Sequence, residues 1–194
     1  MSLPNILTVL RIVLTFIFIA LLLQVGLWPK IMAAVIFLIA SFTDYFDGYY
    51  AKKHALTSDF GKIMDPIADK FLMLSAFFIF SKMQIIPLWM VILIAAREIL
   101  ITALRLSALK KGTVLSAEMG GKCKTVSQIA AVAMMLIFVI LKEAHIPSIY
   151  SNVILSKGRD GIYIFMLIAV GLTMYSGFSY LWNNRNLLLP VGKI

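Results

Sequence analysis

Charge is scarce in this sequence, and negative charge most of all. Of 194 residues 14% are charged, with nine Asp and Glu against 18 Lys and Arg, while 61% are hydrophobic. A soluble domain of this length needs a far more polar surface, so the scarcity points to a membrane protein. Mean hydropathy is +0.95. Cysteine is nearly missing. Cys123 stands alone, which excludes an intrachain disulfide and a cysteine metal cluster and leaves a small packing residue. Histidine is limited to His54 and His145, both in predicted loops, where a solvated side chain is the plain reading. Repeats, low-complexity tracts and a domain linker are not evident, so residues 1–194 read as one integral-membrane domain.

What is abundant is apolar sequence in runs of membrane length. A span needs about 20 such residues. The pattern predicts an all-α, polytopic protein with six transmembrane helices, over Ile6–Leu27, Lys30–Lys52, Phe60–Phe80, Pro87–Leu109, Cys123–Leu141 and Gly161–Trp182, entered by a short amphipathic stretch, "LPNILTVLRIVL". The first run does not read as a cleaved signal: it is long, Arg11 lies just ahead of it, and it has no convincing small-x-small site. The net charge of +9 is explained by topology and anionic headgroups, not by nucleic acid. Lys52, Lys53 and Lys62 follow the second helix, Lys110, Lys111, Lys122 and Lys124 the fourth, and Arg185 and Lys193 the sixth. The opposite side holds Lys30, Lys82 and a mixed loop with Lys142, Lys157 and Arg159. This bias puts both termini in the cytoplasm. Trp28, Trp89 and Trp182 fall near predicted helix ends, as interfacial aromatics do.

Four of the few carboxylates gather in one stretch. Asp44 and Asp47 are three apart, Asp65 and Asp69 four apart. Either spacing puts both on one helix face. The polar turn "KKHALTSD" between the pairs predicts an antiparallel hairpin with the pairs facing each other at its cytoplasmic end. Carboxylates so placed repel and lose solvation, so protonation or a cation must compensate. Oxygen donors suit Mg²⁺ or Mn²⁺, and four of them are enough for two ions. Gly48, Ala51 and Gly61 remove bulk beside them, though helix packing alone would also use small residues. Asp59 stands outside this set, as a solvated residue or a helix N-cap.

Asp44, Asp47, Gly48, Ala51, Lys52, Gly61, Asp65 and Asp69 match, gap for gap, the signature of the CDP-alcohol phosphotransferase family, D-x2-D-G-x2-A-R-x8-G-x3-D-x3-D. Lys52 departs from the usual Arg, keeping the charge but losing the bidentate fork. "LPNILTVLR" (Leu3–Arg11), "AREILITALR" (Ala95–Arg105) and "GKCKT" (Gly121–Thr125) resemble bacterial members that use sn-glycerol 3-phosphate as acceptor. The resemblance implies transfer of phosphatidyl from CDP-diacylglycerol to that acceptor with release of CMP, in a bacterial inner membrane, on the cytoplasmic side, by a homodimer. It implies two divalent cations, one held by Asp44, Asp47 and Asp65, the other by Asp44, Asp65 and Asp69, with Asp69 as proton acceptor. It implies nucleotide contacts from Asn5 to Thr8, Gly48, Lys52 and Ser58.

A phosphate-bearing acceptor calls for fixed cations. Arg97 and Arg105 are eight apart on one helix, which returns to nearly the same face, and Lys122 and Lys124 open the next. Against the acceptor role stand an ion pair of Arg97 with Glu98 or Glu118, and lipid headgroups for the lysines. Arg11 reads as topological or headgroup-binding, with a substrate role open. Two rival functions remain: the same chemistry with another acceptor (a cardiolipin-forming enzyme, or one using inositol phosphate, serine or an aminoalcohol), and a divalent-cation transporter built on the aspartates.

Overall fold

The computed structural model describes the backbone over residues 3–54, 59–110, 120–144 and 148–185, and side chains over 8–43, 67–68, 70–108, 124–144 and 155–185. The chain forms α1 (Leu3–Leu23), α2 (Leu27–His54), α3 (Asp59–Lys82), α4 (Leu88–Lys110), α5 (Gly120–Glu143) and α6 (Ser148–Asn183). No strand occurs among the described residues.

The breaks have local causes. α1 stops at Leu23, short of the predicted Leu27, because Gly26 takes φ +115° and turns the chain. Lys30 then reaches back to accept the role of a cap, donating to the carbonyls of Leu22 at 2.6 Å and Gln24 at 2.5 Å. α3 closes in a Schellman arrangement: Ile85 N–H donates to Phe80 O at 3.0 Å and Gln84 N–H to Ser81 O at 2.9 Å, with Gln84 at φ 58°. Pro87 follows and prevents continuation. α6 differs most from expectation, starting at Ser148 and not Gly161. Lys157, Arg159 and Asp160 interrupt the apolar run, but none of them breaks a helix. At 1.5 Å per residue, its 36 residues span about 54 Å, well over the ~30 Å hydrocarbon layer.

α1 packs against both α2 and α3; α4 packs on α3 and α6, α5 on α6, and α2 and α3 reach α5. α1 meets α2 through Phe18 and Phe37, ring centroids 5.7 Å apart, and α3 through Phe16 and Phe71, also 5.7 Å. The expected close hairpin of α2 and α3 is not among the substantial helix pairs of the described residues, where α1 serves as the shared neighbour. Close approach is permitted by buried alanines: Ala33, Ala40, Ala68, Ala76, Ala131 and Ala169.

The molecule is apolar outside. Every helix exposes large hydrophobic side chains, among them Phe16, Phe42, Phe78, Ile99, Ile137 and Phe178, a surface that water would not tolerate. Six spans were expected. Among the described residues two stretches, Lys124–Glu143 and Leu155–Asn183, are long and apolar enough to cross a membrane. Thr8–Leu23 and Leu27–Thr43 are apolar but shorter, and Arg97, Glu98 and Arg105 interrupt α4.

Inside, polarity is segregated. The buried stripe of α1 reads Thr8, Arg11, Thr15, Phe18, Leu22, polar first and apolar after. Glu98, Lys124, Gln128, Thr173, Ser176 and Asn184 are buried toward the same end, that of the N-termini of α1, α3 and α5. The far end holds Leu22, Phe37, Phe77, Phe80, Met90 and Met135, and its buried cation among the described residues is Lys30.

Candidate active site

The site is assembled at the polar end. α4 brings Arg97, Glu98 and, one turn on, Thr102, whose hydroxyl donates back to Glu98 O at 2.6 Å. α3 brings Lys70 and α5 brings Lys124. All three cations converge on Glu98. Lys124 Nζ bonds Oε1, Arg97 Nη1 lies 3.2 Å from the same oxygen, and Lys70 Nζ lies 3.4 Å from Oε2. Lys70 also donates to Thr102 Oγ1. The side chains of Glu98, Lys124 and Arg97 are 6%, 9% and 10% exposed and that of Lys70 25%, so this charge lies within the bundle. Buried ions are stable only when paired and hydrogen-bonded. One carboxylate shared among three cations leaves the group, among the described residues, with cationic excess.

α6 completes the wall. Ser176 Oγ accepts from Arg97 Nη2 at 3.0 Å. Gly177 lets the arginine pass: a Cβ there would stand 2.9 Å from Arg97 Cγ and 3.2 Å from Nε. One turn earlier Thr173 Oγ1 accepts from Gln128 Nε2 at 3.1 Å.

Arg97 and Arg105 do share the α4 face against α6, but they are not one site. Arg97 is buried in the Glu98 cluster, whereas Arg105 is exposed and lies over the Tyr180 ring, 5.6 Å from its centroid. Of the expected ion pairs for Arg97, that with Glu98 is present; Glu118 lies outside the described residues. Lys124 is engaged by Glu98 and buried, not laid on headgroups. Arg11 is also corrected: at 1% exposure it faces the interior and cannot serve a headgroup. Thr8 is buried one turn before it.

Asn5, Asp44, Asp47, Gly48, Lys52, Asp65, Asp69 and Lys122 have side chains outside those described, and Ser58 and His145 lie wholly outside. Their helical backbone is informative all the same. The buried stripe of α2, Ala33, Phe37 and Ala40, continues in helical register through positions 44, 47 and 51. That of α3, Phe80, Ala76 and Leu72, continues back through 69 and 65. Both aspartate pairs therefore fall at the helical spacing of those stripes. Four carboxylates at such positions fit hard divalent cations, since oxygen donors with no apolar alternative are the chemistry those ions take. Asp59 opens α3, where an N-cap was expected.

Glu98, Lys70, Thr102, Ser176 and Gly177 were not singled out by sequence reasoning as site residues. The one signal available was the adjacency of Lys70 to Asp69 and of Glu98 to Arg97.

Residues 1–175 match the family model described as CDP-alcohol phosphatidyltransferase. The chain belongs to the CDP-alcohol phosphatidyltransferase family. Three bacterial relatives carry the name CDP-diacylglycerol--glycerol-3-phosphate 3-phosphatidyltransferase. That of Bacillus subtilis is 41% identical over 148 residues, covering 70% of this chain and 77% of its own. That of Pseudomonas fluorescens is 36% identical over 184 residues, covering 93% and 89%. That of Rickettsia felis is 36% identical over 187 residues, covering 92% and 93%. The match to the family runs from α1 into α6 and ends just before Ser176 and Gly177.

Proposed function

We propose that this chain transfers the phosphatidyl group of CDP-diacylglycerol to sn-glycerol 3-phosphate, giving phosphatidylglycerol phosphate and CMP. The observation that carries the acceptor choice is the buried convergence of Lys70, Arg97 and Lys124 on one carboxylate. A basin with cationic excess suits a phosphate-bearing acceptor and would be wasted on a neutral alcohol. The names of the relatives point the same way.

In this reading Asp44, Asp47, Asp65 and Asp69 hold two divalent cations, Mg²⁺ or Mn²⁺, which when bound neutralise the diphosphate and the charge that grows as CMP departs. Asp69 takes the proton of the glycerol hydroxyl. The hydroxyl oxygen bonds to the phosphorus bearing the diacylglycerol, and the bond from that phosphorus to the CMP oxygen breaks. Arg97 and Lys124, with Lys70, fix the acceptor phosphate; Arg105 and Lys122 guide it in. Asn5, Thr8, Gly48, Lys52 and Ser58 hold the nucleotide.

The apolar exterior and the excess of Lys and Arg at the polar end support a six-span protein of a bacterial inner membrane, with that end and both termini cytoplasmic. The family resemblance supports a homodimer. Among the described residues the far half is packed with apolar side chains, which favours an enzyme over a cation transporter. Purified protein given Mn²⁺, CDP-diacylglycerol and each acceptor in turn tests the reading. CMP release is expected with glycerol 3-phosphate; release only with inositol phosphate, serine or phosphatidylglycerol would reassign the acceptor.

A further inference from the structure

Glu98 touches all three cations of the basin from its centre, and it is nine-tenths buried with two of them. We propose that Glu98 is a positioning residue for the acceptor phosphate: it holds Lys70, Arg97 and Lys124 as one preorganised cradle. This rests on the functional reading above and adds a residue to it.

Three like charges brought this close inside a bundle would separate or lose their protons without an anion between them. Among the described residues a single carboxylate gathers three cations. It also ties α3 and α5 to α4, fixing the spacing of donors that come from three different helices. Donor capacity remains on the arginine after the carboxylate is satisfied: Arg97 Nε is buried with no hydrogen-bond partner. Arg97 is held in place by Ser176, which accepts from one arm at 3.0 Å, while its stem runs through the space that Gly177 leaves open. Lys70 follows Asp69 directly in the chain, so the cradle and the proton acceptor share one turn of α3. A carboxylate that orients the groups around a ligand sets how tightly the ligand binds without touching it.

The test is steady-state kinetics of the full chain, varying each substrate separately. Glu98→Gln keeps size and one acceptor oxygen but removes the charge. Its KM for glycerol 3-phosphate should rise about tenfold or more, its KM for CDP-diacylglycerol should stay within about twofold, and Glu98→Asp should recover part of the loss. Gly177→Ala reaches the same cradle without removing a charge, by displacing Arg97. It should raise the same KM, and the two changes combined should fall short of the product of their effects. An unchanged acceptor KM in both variants overturns the proposal. So does a parallel rise in both KM values with a lower thermal midpoint, which would mark Glu98 as a folding residue only. Should Glu98→Gln fail to fold, Gly177→Ala decides alone. Absence of wild-type turnover with glycerol 3-phosphate would instead sink the functional reading, and the variants would then be measured on the phosphorylated acceptor that does support turnover.

Discussion

Among the described residues two lysines are buried, one at each end of the bundle. Lys30, at the apolar end, spends its ammonium on the backbone carbonyls of Leu22 and Gln24. Lys124, at the polar end, bonds a carboxylate that two other cations already use. The first arrangement closes on itself: carbonyls left over at a helix end meet a cation from the next helix, and nothing further is asked of either. The second is open among the described residues: three cations meet one carboxylate, and Arg97 Nε is buried without a partner. The difference separates a cation that finishes a fold from one that the proposed function assigns to a ligand.

That contrast can be broken in several ways. The largest effect is expected at the polar end itself: Asp69→Asn should cut turnover by about a thousandfold by removing the proton acceptor while leaving the thermal midpoint in detergent in place. Wild-type CMP release in that variant would strip Asp69 of its role. Next comes Lys124→Met, which keeps the stem and removes the ammonium. Acceptor-dependent kcat/KM should drop by about tenfold to a hundredfold, with little loss of stability because Arg97 and Lys70 still serve Glu98. Lys30→Met should give the opposite signature, a stability loss of about 1 kcal/mol with unchanged activity per folded molecule; an activity loss at constant stability would erase the distinction between the two lysines. The smallest effect belongs to Lys52→Arg, which restores the family's usual residue and should leave the CDP-diacylglycerol KM within about twofold. A large increase would mean that the local geometry departs from the family's.

The aspartate signature was legible because its gaps follow one helix face at a time, so the information is local. The same holds for the number of helices and for most of their limits. α6 was shortened because hydropathy detects the lipid-soluble part of a helix, not the helix, and Lys157, Arg159 and Asp160 interrupt the apolar run without ending it. The pairing of Arg97 and Lys124 through Glu98 was only half visible: Glu98 appeared as one possible partner of Arg97, but its links to α3 and α5 exist only once three helices have packed. Gly177 was invisible for a similar reason. A glycine in a membrane helix has many uses, and its use here is defined by a stem from α4. Arg11 was misjudged because its position near the chain start suggests an interface, whereas its place on the α1 stripe, with Thr8, Thr15 and Phe18, turns it inward.

The turn that ends α3 also bears on how much change the molecule can absorb. Gln84 holds a left-handed conformation, φ 58°, which a side chain raises by about 1 kcal/mol over glycine. It lies at the far end from the Glu98 cluster. The fold thus keeps an unused margin of stability at a place where no chemistry is done, and releasing it with glycine would let the polar end tolerate substitutions that would otherwise unfold the chain.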